Sequence, residues 1–178
     1  MEEPLKEYEK EHIKLLKDTA SECTLFLKAN GEFPLEKPCK VLLVGSGARE
    51  TLKGGAGSGW VESRYYTTCE QGLENSGFEI VSKKWLDEYP KFKKNTFESF
   101  IEKQKQLAKE VDCFPWIFSY GAIQPEEEYD LSLDYKADLA IYVLGRISGE
   151  GSDRHLVKGD VLLTDSEIRD ILKLNEKF

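Results

Sequence analysis

Apolar positions along the chain follow two rhythms, and their order predicts alternating helices and strands. Tyr8, His12, Leu16, Ala20, Cys23 and Leu27 recur every three or four residues, the spacing of one helical stripe, so a helix is expected from about Leu5 to Lys28. Asn30-Gly31 supplies its stop, since both residues tolerate a left-handed backbone. The unbroken run Lys40 to Gly45, bounded by Pro38 and glycine, reads as a strand buried on both faces. A second helix is expected from Tyr65 to about Asn75, with Cys69 and Leu73 inward and Ser76-Gly77 at its end. Phe78-Glu79-Ile80-Val81 then forms a second strand. Such a strand-helix-strand connection is expected to be right-handed.

The pattern loosens before it returns. Residues 83–95 are charged and contain Pro90, which reads as a connection, and Thr96 to Val111 reads as a helix with Phe97, Phe100, Ile101, Gln104, Ala108 and Val111 on one face. Cys113 to Ser132 holds two prolines and the acidic run Glu126-Glu127-Glu128, the composition of a solvated loop. Asp138 to Gly145 gives a third buried strand, followed by a second glycine-bearing loop from Arg146 to Gly159. Thr164-Asp165-Ser166-Glu167 is a capping box, opening a last helix through Ile168, Ile171 and Leu172. No internal repeat is evident. The alternation predicts an α/β fold, a mostly parallel sheet flanked by helices on both faces.

Composition narrows the class. The 178 residues fit one ordinary domain, and 40% apolar content is enough to bury a core. A formal charge of -8 argues against nucleic-acid binding, which draws most of its affinity from phosphate neutralisation. The longest apolar run, Leu139 to Leu144, falls far short of the ~20 residues of a membrane span. The acidic start does not look like an export signal, and a cytoplasmic protein is expected. Cys23, Cys39, Cys69 and Cys113 are too scattered for a structural zinc site, so reduced core or half-buried thiols and no bound metal are expected. His12 and His155 have no evident nucleophile beside them.

Two glycine-rich loops leave the carboxyl ends of predicted strands, where open parallel sheets collect ligands. If both strands are parallel, the loops share one rim. The first, Lys53-Gly54-Gly55-Ala56-Gly57-Ser58-Gly59, is no phosphate loop, because Lys53 precedes the glycines and nothing cationic follows Gly59. Gly45-x-Gly47 is followed by Glu50, which places a carboxylate where a dinucleotide fingerprint would hold a pyrophosphate. No nucleotide or other cofactor is therefore expected. In the second loop Glu150 stands between Gly149 and Gly151, the setting of an exposed acid on a turn or of a plain solvated glutamate. Asp153 and Arg154 read as pairing with each other or capping the turn.

Lys53 to Gly59 together with Ser148-Gly149-Glu150-Gly151-Ser152-Asp153-Arg154 resemble two motifs of family 3 glycoside hydrolases, in the order found in that family's α/β sandwich domain. Leu25-Phe26-Leu27-Lys28, Phe33-Pro34-Leu35, Lys158-Gly159-Asp160 and Leu163-Thr164-Asp165 fit the same frame. The resemblance covers nearly all of the chain except about residues 83–135, which look like a family-variable insertion. It implies that Glu150 is the general acid/base of a retaining, β-glucosidase-like enzyme. It also implies that Lys53, Gly54, Gly55, Gly57, Ser58, Gly59, Ser148, Gly149, Gly151, Asp153 and Arg154 form the loops beside the carbohydrate substrate. One carboxylic acid would protonate the departing oxygen while a second carboxylate attacks the anomeric carbon.

The departures carry equal weight. The family's nucleophile lies in a Ser-Asp-Trp-like motif on a separate barrel domain, and no such motif occurs here; Asp87 follows Trp85-Leu86 in the wrong order. A barrel takes about 250 residues, more than this chain holds. The chain is thus expected to be a partial sandwich domain, residues 1–178, and inactive alone. Met1 directly before it suits members of reversed domain order. An unpaired sheet edge would then favour self-association. A non-catalytic carbohydrate-binding or interaction module of the same fold is the competing reading, and retention of Glu150 within Ser-Gly-Glu-Gly speaks against it.

Overall fold

The computed structural model describes residues 4–28, 33–55, 59, 61–64, 66–114, 129–148 and 153–178. The chain divides into two compact units, Met1–Lys37 and Pro38–Phe178. The first contains helix α1, Glu7–Thr19, which buries none of its residues. The helix is shorter than its apolar stripe predicts: Thr19 turns its hydroxyl back to the Leu15 carbonyl, and the chain leaves the helix through turns at residues 20–23. Within this unit the stripe meets no core: Leu16 is 70% exposed and Leu27 86%.

The second unit holds strands β1 (Lys40–Val44), β2 (Glu79–Ile80) and β3 (Leu139–Tyr142), with helices α2 (Cys69–Asn75), α3 (Lys83–Glu110) and α4 (Asp165–Lys177). The sheet is wholly parallel in the order β2-β1-β3, with Val41 opposite both Ile80 and Leu139. Val41, Leu42, Leu43 and Val44 are all fully buried, so β1 is covered on both faces as its unbroken apolar run requires. The expected α/β class with a mostly parallel sheet is what the chain adopts.

Beyond the short β2, Ser82 takes over as partner of the central strand. Its fully buried hydroxyl accepts from the Leu43 N–H at 2.9 Å and donates to the Leu43 carbonyl at 2.6 Å. One side chain thereby satisfies two backbone groups that would otherwise be orphaned in the core. Residues 83–95, read as a connection, belong instead to a single helix running to Glu110. Pro90 sits inside it and removes the donor for the Leu86 carbonyl. Burial of Trp85, Leu86 and Tyr89 against the sheet outweighs that loss, and Trp85 stacks on Tyr89 with centroids 4.7 Å apart.

The acidic loop reading also stops short at its carboxyl end. Residues 115–128 lie outside those described, but Tyr129, Leu131 and Leu133 are buried and alternate with exposed Asp130, Ser132 and Asp134. That extended run is gripped by α4: Arg169 donates to the Tyr129 carbonyl at 2.6 Å and Lys177 to the Tyr135 carbonyl at 2.8 Å. The capping box of α4 forms as expected, Thr164 Oγ1 accepting from Glu167 N–H and Glu167 from Thr164 N–H. Its buried face, however, carries Ser166, Glu167, Asp170 and Leu174, while Ile168 and Leu172 remain exposed. Polar groups take the place of the apolar stripe, with Glu167 meeting Arg146 and Asp170 meeting Arg169.

Ser82→Ala strands both the N–H and the carbonyl of Leu43. It should lower unfolding free energy by about 1–3 kcal/mol in urea denaturation, with the helical signal retained.

Candidate functional site at the carboxyl rim of the sheet

Strand β1 lies between β2 and β3, so the chain leaving its carboxyl end stands at the point where strand order reverses. Both glycine loops start from this rim and they touch. Gly47 N–H donates to the Val143 carbonyl at 2.9 Å, and Gly145 N–H to Ser46 Oγ at 3.0 Å. Gly45 has a φ of +99°, and a Cβ there would lie 2.5 Å from the Val143 carbonyl oxygen. Further out, a Cβ on Gly55 would meet the Ser148 carbonyl oxygen at 2.9 Å. The glycines let two backbones cross.

Of the residues expected from the sequence, Lys53 is exposed and its ammonium lies 5.0 Å from the Tyr66 ring centroid. Gly54 comes close to Gly59, where a Cβ would stand 2.6 Å from the Gly59 carbonyl. Ser148 and Asp153 are exposed at the two ends of the second loop. Gly57, Ser58, Gly149, Glu150 and Gly151 lie outside the described residues. The expected Asp153–Arg154 pair is not what Arg154 makes: its guanidinium engages Asp160 and donates to the Ile147 carbonyl at 3.1 Å. Asp160 lies in a tight turn that returns its carboxylate to Arg154, which gives it the stronger claim on that charge.

Sequence reasoning missed the residues that root these loops. Arg49 donates through Nε to Glu70 at 2.6 Å and through Nη1 to Asp87 at 2.5 Å, binding the first loop to α2 and α3. Lys83 also donates to Glu70, at 2.6 Å. Thr51 adds a second tie, donating to the Gly47 carbonyl and accepting from the Cys69 N–H. In the second loop Arg146 donates to both carboxylate oxygens of Glu167, and through Nε to the Asp160 carbonyl at 2.8 Å. The signal was a lone arginine at the root of each loop, which periodicity does not register.

Charge follows the same geometry. The Arg49 hydrogen bond holds the Glu70 carboxyl below its ordinary 4.5, helped by Lys83 and opposed by burial. The Glu167 pair likewise raises the Arg146 guanidinium further above its ordinary value. Among the described residues no group of three or more His, Cys, Asp or Glu side chains is arranged to hold a metal ion. The four cysteines are unpaired, with Cys23 exposed rather than in a core. No helix of the described residues is long and apolar enough to cross a membrane.

Fold and rim together define a parallel α/β domain that brings two loops to one ligand-type edge. Comparison with known proteins makes this more specific. No family model matches the chain. It is 29% identical over 168 residues to β-glucosidase A of Butyrivibrio fibrisolvens, covering 94% of this chain and 19% of that protein. The solved β-glucosidase 3B of Thermotoga neapolitana in complex with α-D-glucose is 30% identical, with a TM-score of 0.64 over 97% of this chain and 23% of that one. The same enzyme with glycerol gives 30% identity and a TM-score of 0.60 over 94% of this chain. The chain is therefore similar, over nearly its whole length, to a segment of family 3 glycoside hydrolases. It spans about a fifth of the length of the relatives it matches.

The Glu70 carboxylate is 9% exposed and its pKa is depressed, so its stabilising contribution is complete above about pH 4.5 and is lost as pH falls through the folded value. Glu70→Gln should cost about 1–3 kcal/mol near pH 7. It should also flatten the fall in stability between pH 5 and pH 3, measured as urea midpoints across that range.

Proposed function

We propose that this chain is the acid/base-bearing part of a retaining glycoside hydrolase of β-glucosidase type, with Glu150 as general acid and then general base. The supporting observation is the meeting of the two glycine loops at the switch point, in a chain similar throughout to β-glucosidases. The first loop, from Lys53 to Gly59, and the second, from Ser148 to Arg154, would flank the carbohydrate. A second carboxylate must reach the anomeric carbon from ~5–5.5 Å away, and it would come from a barrel domain outside this chain. Residues 83–135 are the segment in which this chain would depart most from its relatives. Four unpaired thiols support a cytoplasmic protein, and the edge strands β2 and β3 offer surfaces for self-association.

The chain alone should not hydrolyse aryl β-glucosides, since half of the double displacement is missing. Turnover by highly purified chain, abolished by mutation within it, would overturn this. In the enzyme assembled with its barrel, Glu150→Ala should slow alkyl glucosides by roughly 10²–10⁴-fold and activated aryl glucosides far less, because a good leaving group departs without a proton. With activated aryl glucosides, whose first step needs no proton, added azide should raise turnover by attacking the glycosyl-enzyme without a base. Equal loss on both substrates, with no azide rescue, would remove Glu150 from the mechanism.

A further inference from the structure

Ile147 precedes the second loop's Ser148–Asp153 in sequence and Arg154 follows it, and one guanidinium links the two. Arg154 Nη1 donates to the Ile147 carbonyl at 3.1 Å while Nε pairs with Asp160. Asp160 is itself fixed on three sides. Its other carboxylate oxygen accepts from the His155 N–H at 2.6 Å, and its carbonyl accepts from Arg146 Nε at 2.8 Å. Its turn is closed by the Leu162 N–H to the Val157 carbonyl at 3.1 Å and the Gly159 N–H to the Leu162 carbonyl at 3.0 Å. Gly159, at φ +81°, makes that turn accessible to the backbone.

Asp160 is more shielded than an ordinary surface carboxylate, while Arg154 stays exposed. The Asp160 side chain is 11% exposed and Arg154 32%, whereas the nearby Lys158–Asp165 pair is 50% and 71% exposed. Exposed pairs of the latter kind contribute little. The His155 N–H, seconded by Arg154, holds the Asp160 carboxyl below its ordinary range, so the clamp stays charged at neutral pH.

We propose that Arg154 and Asp160 are positioning residues for Glu150: they clasp the base of the segment Ser148–Asp153 and hold its ends in register with the rim. This rests on the acid/base reading of Glu150 above. It assigns to Arg154 a structural grip on its own loop, with the guanidinium's donors directed at Ile147 and Asp160 instead of a sugar hydroxyl. Asp160 then matters to catalysis without touching substrate.

The test has two arms. In this chain, Arg154→Gln should speed amide exchange at His155 and across residues 147–155 by on the order of tenfold, the worth of a charge-assisted hydrogen bond. Strand β1 and helix α4 should keep their protection. In the enzyme assembled with its barrel, Arg154→Gln should lower kcat on alkyl glucosides by about 10–100-fold, the cost of misplacing a catalytic group. Activated aryl glucosides should be affected far less and KM should hardly move, a split that general loss of folding does not produce. Arg154→Lys, which keeps the charge facing Asp160, should recover part of the loss. Should Arg154→Gln fail to fold, Asp160→Asn carries both measurements, since the amide oxygen still accepts from His155. Unchanged exchange at residues 147–155, or equal loss on both substrates while Glu150→Ala shows its leaving-group bias, overturns the clamp. If Glu150→Ala shows no such bias, the acid/base reading fails first and the positioning role with it, whatever exchange reports.

Discussion

The backbone crossing between the chain leaving β1 and the chain leaving β3 constrains everything at the rim. At Gly45 the two main chains approach so closely that even one methyl group would enter the Val143 carbonyl. Gly47 and Ser46 convert that approach into hydrogen bonds with Val143 and Gly145. Glycine is therefore required here by the neighbouring strand, with no phosphate needed to explain it. This accounts for Gly45 and Gly47, which precede a loop that fails each nucleotide fingerprint: these two glycines answer a packing demand inside the protein.

With the crossing in place, each loop is rooted by one arginine facing carboxylates at a helix's amino-terminal end. Arg49 reaches Glu70 on α2 and Asp87 on α3, and Arg146 reaches Glu167 on α4. A guanidinium suits the task because its planar fork can satisfy two directions at once and never loses its charge. Glu70 and Glu167 gain in turn, being nearly buried carboxylates that would be costly without a partner. Both arginines use their donors within the protein, so the rim is stiffened by charge while its outer residues stay exposed.

Much of this order was legible in the residues. The run Lys40–Val44 announced a doubly buried strand, and Thr164 with Glu167 announced a helix start, because both rest on local rules. The shared rim followed once two glycine loops were placed after two parallel strands. What stayed hidden depends on distant partners. Pro90 looked like a break, and only the docking of Trp85 and Tyr89 on the sheet carries the helix through it. Arg154 looked like a partner for its neighbour Asp153, and only the turn at residues 157–162 brings Asp160 into reach. Ile168 and Leu172 looked like a core stripe, but α4 turns Asp170 and Glu167 inward, where Arg169 and Arg146 meet them.

That polar face of α4 is also how the rim is tied to the rest of the core. Tyr142 ends β3 immediately before the crossing at Val143, and its hydroxyl stands 3.5 Å from that of Tyr129. Tyr129 packs edge-on against Trp85 and Tyr89 and lies under the Arg169 guanidinium, 5.1 Å from its ring centroid. Burial pushes both phenols well above their ordinary pKa, so each remains a protonated donor at any physiological pH. A chain of contacts thus runs from α3 through the tyrosines to the end of β3. In a low-dielectric core such a network specifies one arrangement over its neighbours. The strand end that sets the second loop is held by side chains more than ten residues away in either direction, which is why the loop's own sequence does not reveal its anchorage.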